Sequence, residues 1–139
     1  MGSDPGLSLQ WGTGNTRNLQ QLCLLIIVLS IVGFISALFY GCGDCVVFSI
    51  ISFLWGFYGF WVAGRGDLFG LWFFMVGSCL LAILDFISIC RALVTLGKCN
   101  DCGNVWWWLI VEICEFLVHL GCTYFSFVIR SRVLWPPQP

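Results

Sequence analysis

Two short stretches of this chain, GCGDC at residues 41–45 and KCNDCG at residues 98–103, each contain C-x-D-C. The four cysteines are Cys42, Cys45, Cys99 and Cys102. Three chemistries fit two such pairs. In an oxidising compartment they close as disulfides, within or between the stretches. In a reducing one, four thiolates make a structural zinc set. As a redox centre, one C-x-x-C exchanges electrons with the other. Asp44 and Asp101 stand beside the thiols, and a neighbouring negative charge disfavours thiolate. The structural disulfide is therefore favoured over catalysis. Cys23, Cys79, Cys90, Cys114 and Cys122 fall in apolar text and read as small buried residues. Cys23 is also a candidate for acylation.

A second set lies deep in apolar sequence. Glu112, Glu115 and His119 in VEICEFLVH fall within one sector about 60° wide on a helix, with Cys122 and Ser126 close by. Asp85 sits at a similar depth in the preceding apolar segment, so it can meet Glu112 if the two helices are neighbours. Three carboxyls cannot all pair with one histidine, so at least one is expected to be neutralised by a proton; Arg91 is a candidate counter-charge. Ionisable groups at membrane depth are expensive and mark proton or cation sites. The competing reading is hydrogen-bonded glue between helices or contact with a partner subunit.

The elements that must position these residues follow from composition. Of 139 residues, 60% are hydrophobic and only 9% charged, against roughly a quarter charged in soluble domains. Too few polar side chains exist to coat a water-facing surface. A net charge of −1 gives no field for nucleic acid. Four apolar segments, at residues 22–40, 46–63, 68–90 and 105–129, match the roughly 20 residues a spanning helix needs. The first exceeds the usual apolar core of a cleaved signal and is expected to be kept. The expectation is an all-α four-helix transmembrane bundle with no soluble domain. A flexible tail is expected over residues 1–21, with NLQQ at its end able to continue the first helix inward, and a short one over 130–139. Arg17, Arg65, Arg130 and Arg132 then share one membrane side, which the positive-inside rule places in the cytosol. Both C-x-D-C stretches face the other side.

Similar text around the two cysteine pairs, GFISALFYGCGDC and SICRALVTLGKCNDC, suggests two related helical hairpins. Gly33/Ala37, Ser52/Gly56, Ser78/Ala82 and Ser88/Ala92 have small-xxx-small spacing, which lets helices approach closely and offers faces to other membrane proteins.

Two families resemble parts of this pattern. Four spans with cytosolic tails and a C-x-x-C just after the first, at Cys42 and Cys45, are similar to the DsbB-type thiol oxidases. That resemblance implies a quinone-linked thiol oxidase, although the second cysteine pair is more closely spaced here and no arginine follows the first. The stretch AGRGDLFGLWFFMVG, through Gly64, Arg65, Gly66, Leu68, Phe69 and Gly77, resembles COPI-associated Golgi membrane proteins and MARVEL-like small tetraspan proteins. It implies a non-catalytic endomembrane protein, with Asp67 departing from the family pattern.

The expected role is structural, trafficking or accessory, in the endomembrane system or plasma membrane, with a cysteine-bearing outer cap. The alternatives are a membrane thiol-disulfide oxidoreductase and a proton- or ion-coupled carrier using Glu112, Glu115 and His119. No enzyme activity, cofactor or metal is assigned. The expected partners are the lipid bilayer and other membrane proteins.

Overall fold

The computed structural model describes residues 14–41, 43–98 and 103–135. Four helices make up nearly all of it: α1 (Gly14–Tyr40), α2 (Gly43–Arg65), α3 (Leu68–Lys98) and α4 (Gly103–Leu134). Each is long and apolar enough to cross a membrane. The chain is an all-α four-helix bundle, and no strand occurs among the described residues.

The helices outrun the apolar segments. Helix α1 begins at Gly14, so residues 14–21, which hydropathy assigns to a tail, are helical. Thr16 and Leu19 are buried and belong to the packed bundle. Helix α4 likewise continues to Leu134. At about 1.5 Å per residue, α3 and α4 extend over about 45–50 Å, more than the roughly 30 Å hydrocarbon core. Hydropathy reports the part of a helix that suits hydrocarbon. Backbone hydrogen bonding carries the helix on into polar sequence.

The GRGD turn is built by its own residues. Gly66, with φ of 73°, adopts the left-handed conformation that closes a helix, and its N–H donates to the Val62 carbonyl at 3.1 Å. Asp67 then caps α3: its Oδ1 accepts the Phe69 N–H at 3.2 Å. Gly41 repeats the positive φ, 73°, at the end of α1. Arg65, Lys98 and Arg132 occupy the last turns of their helices, where a cation offsets the negative end of the helix dipole.

The closest packing is α1 on α2 and α3 on α4, with α1 also against α4, while the backbones of α2 and α3 approach over little of their length. Small residues make the close seams. A Cβ on Gly56 would lie 3.1 Å from the Cys23 carbonyl oxygen, and one on Gly33 would lie 3.0 Å from Ser49 Oγ. Gly33, Ala37, Ser52, Gly56, Ser78 and Ala82 are all buried inside this chain. Three of the four small-residue rows are therefore used within the bundle; only Ser88 and Ala92 remain half-buried.

Helices α2 and α3 are joined by rings. Trp55 stacks on Phe74 at 5.5 Å and 17°, and its Nε1–H donates to Ser78 Oγ at 3.1 Å. The room comes from glycines: Gly59 faces the Phe74 ring and Gly77 faces the Trp55 indole. Leu19, Ile26, Val62, Leu71, Phe74 and Ile129 complete an apolar core toward the turn end of the bundle. Outside, Ile35, Leu54, Leu80 and Leu117 are each more than half exposed. Helices that are apolar on their outer faces as well as within suit lipid.

A methyl group at Gly59 or Gly77 must displace a ring. Gly59→Ala and Gly77→Ala are each expected to destabilise the bundle by about 1–3 kcal/mol. Gly97, with no atom near its would-be Cβ, is the control: Gly97→Ala is expected to be neutral or to stabilise by up to about 1 kcal/mol. Unfolding in mixed micelles by sodium dodecyl sulfate, followed by circular dichroism, reads all three.

Candidate functional site: a buried carboxylate–histidine cluster

Helices α3 and α4 run antiparallel and bring Asp85 opposite His119. Both side chains are fully buried, and His119 Nδ1 lies 2.6 Å from Asp85 Oδ2. A carboxylate only accepts, so the ring N–H donates. One turn along, Phe86 meets Phe116 at 5.9 Å and holds the same register. On α4, Glu112, Glu115 and His119 share a face through their spacing of three and four residues. Glu115 is buried, while Glu112 is half-buried.

The carboxyls converge on Asp85. One ligand-type atom from each of Asp85, Glu112 and Glu115 lies within 4.8 Å of the others. Glu112 is within hydrogen-bonding reach of Asp85. Two carboxyl oxygens at that separation repel unless a proton or a cation stands between them. Asp85 Oδ1, Glu112 Oε2 and His119 Nε2 are buried without a protein hydrogen-bond partner. The cluster lies about 26 Å along α3 from its turn end and about 20 Å from Lys98, deep in the bundle. The arrangement can therefore bind a positive charge or pass one between oxygens.

Elsewhere the side-chain hydrogen bonds along the spans are neutral. Trp55 donates to Ser78, Trp107 Nε1 donates to Ser36 Oγ at 2.7 Å, and Ser30 Oγ donates to the Ile26 carbonyl at 2.6 Å. The Trp107 bond ties the start of α4 to α1. A serine on an apolar face is the signal that could have found such pairs, but it does not say which indole reaches it.

Arg91 does not serve the cluster as a counter-charge. It is exposed on the far side of α3 and lines a groove of about 420 Å³ with Phe86, Ile87, Cys90, Val94 and Thr95. His119 faces Asp85 in its place.

Of the four cap cysteines, Cys42, Cys99 and Cys102 lie outside the described residues. Cys45, at the start of α2, is disulfide-bonded. The other described cysteines, Cys23, Cys79, Cys90, Cys114 and Cys122, are free, so no bridge joins two described residues. Cys79, Cys90 and Cys114 are exposed on the outer helix faces, contrary to the expectation that they are buried. Cys23 is fully buried and hydrogen-bonded to Cys122. It faces α4 inside the core and does not present a sulfur for acylation.

Removing one partner of a buried pair strands the other. His119→Leu is expected to cost about 3–5 kcal/mol. The double variant Asp85→Leu/His119→Leu is expected to recover much of that loss, because replacing both partners by apolar groups is often neutral. The same micellar unfolding measurement gives the coupling. No family model, curated protein or solved structure matches this chain, so its functional reading rests on the buried cluster itself.

Proposed function

We propose that this chain is a small multi-pass carrier coupled to protons or another cation, with Asp85, Glu112, Glu115 and His119 as the ion-handling centre. The observation that carries this reading is the convergence of three carboxyls within 4.8 Å around an Asp85–His119 contact of 2.6 Å inside a membrane-spanning bundle. Helix glue needs satisfied partners, and the neutral tryptophan–serine pairs provide it. Single unpartnered buried atoms also occur at Thr16, Ser52, Ser126 and Arg130; here Asp85, Glu112 and His119 each leave one within a single group of ionisable side chains, where an exchanging ion could be held. The tails and the GRGD turn are assigned to the cytosol from Arg17, Arg65, Arg130 and Arg132. The sulfur bond at Cys45 supports a lumenal or external compartment for the other face.

A second reading, a structural or accessory tetraspan protein of an endomembrane, is favoured by that same Cys45 bond. A bridge from Cys45 to Cys42 or to the second cysteine pair would make a covalent cap, and only a bridge to the second pair would tie α2 to the α3–α4 hairpin.

Reconstitution into liposomes separates the two. With a trapped pH-sensitive dye, and with dyes for monovalent and divalent cations, the wild-type chain is expected to move at least one cation faster than empty vesicles. Asp85→Asn and Glu115→Gln are expected to return flux to the empty-vesicle level while keeping helix content. Wild-type flux equal to empty vesicles for every cation would leave the structural reading standing.

A further inference from the structure

Resting on the reading of this cluster as an ion-handling centre, we infer that the ion it holds is a hard divalent cation of the Mn²⁺ or Mg²⁺ class, ligated by Asp85, Glu112 and Glu115. The first support is shape. Metal–oxygen bonds of about 2.1 Å place ligand oxygens about 3.0 Å apart when adjacent and about 4.2 Å when opposite. Three carboxylates whose ligand atoms all lie within 4.8 Å of one another need only small side-chain rotations to meet that shell.

The second support is what the protein leaves open. Asp85 is fully buried. Its Oδ2 is taken by His119, while its Oδ1 has no protein partner, and neither has Glu112 Oε2. These are the atoms a cation would satisfy. His119 is not one of the three oxygen donors and holds Asp85 through Oδ2. A hydrogen bond of this kind to a ligand's other oxygen fixes how the carboxylate points.

The third support is the class of donor. Carboxylate oxygens suit Mg²⁺, Ca²⁺ and Mn²⁺. The soft thiols of Cys23 and Cys122 hydrogen-bond to each other instead of joining the triad. With all three carboxylates ionised, a monovalent ion would leave two charges uncompensated in a medium that penalises each heavily, whereas a divalent ion leaves one. Mg²⁺ sheds its water reluctantly, so Mn²⁺ is the better probe for a buried site.

Metal-stripped full-length protein in detergent is titrated with Mn²⁺, and free Mn²⁺ is read by electron paramagnetic resonance. One Mn²⁺ per chain is expected, displaced by excess Mg²⁺. Asp85→Asn and Glu115→Gln are expected to weaken binding by at least about tenfold. His119→Gln, which can still donate to Asp85, is expected to keep one Mn²⁺ per chain with an affinity about 10–100-fold lower. Helix content and gel filtration identify any variant that fails to fold, and for it the half-conservative Glu115→Asp is the substitute. Absence of bound Mn²⁺ in the wild type, or binding that survives loss of all three carboxylates, overturns the inference. If protons still cross the vesicles when no Mn²⁺ binds, the metal assignment falls and the carrier stands. If Mn²⁺ binds but no cation crosses, the carrier falls and the site stands.

Discussion

A carboxylate and an imidazole 2.6 Å apart, both shut away from solvent, fix how α3 meets α4. In hydrocarbon no water relieves an unpaired charge, so sliding or rotating either helix would strand Asp85 or His119 in an apolar medium. The register so fixed also brings Glu112 and Glu115 onto Asp85, since spacing on α4 puts both on the histidine's face. One contact therefore sets both a helix interface and the composition of the site.

The other seams show how the bundle closes without charge. Helices α1 and α2 approach over glycine and serine, with Gly56 nearly on the Cys23 backbone. Helices α2 and α3 stay further apart, and the space is filled by Trp55 and Phe74 over Gly59 and Gly77. Lipid gives helices little hydrophobic reason to associate, so contact depends on shape and on hydrogen bonds. Small residues give shape at one seam, rings in glycine notches at the next, and indole–serine bonds tie the two hairpins together at Trp55–Ser78 and Trp107–Ser36.

The four helices were legible because runs of apolar residues of spanning length leave no other backbone solution in lipid. Their ends were less so: Thr16 and Leu19 lie in polar text yet pack into the bundle. The face holding Glu112, Glu115 and His119 could be read from helical periodicity. Its meeting with Asp85 depended on which helices are neighbours and how each is turned, which one strand of text does not state. Arg91 was misjudged for that reason: it is six residues from Asp85 along α3, but the α-helix turns it outward. The small-residue rows showed where close approach would occur and not whether the approaching helix belongs to this chain. Cys23 meets Cys122 across α1 and α4, the most distant helices in sequence, and no local pattern announces such a pair.

Stability alone does not account for the cluster. Buried ion pairs are weak stabilisers, because desolvation consumes most of what attraction returns, and apolar replacements often do as well. The side-chain hydrogen bonds that join α2 to α3 and α1 to α4 use neutral donors and acceptors. Against that background, one imidazole among three carboxyls is more acidic than any glue requires. The excess raises the cost of burial with each added carboxyl, and the unpartnered Asp85 Oδ1 and Glu112 Oε2 are where that cost is concentrated. A site built at such expense to the fold is the kind expected where binding a positive charge is itself the task.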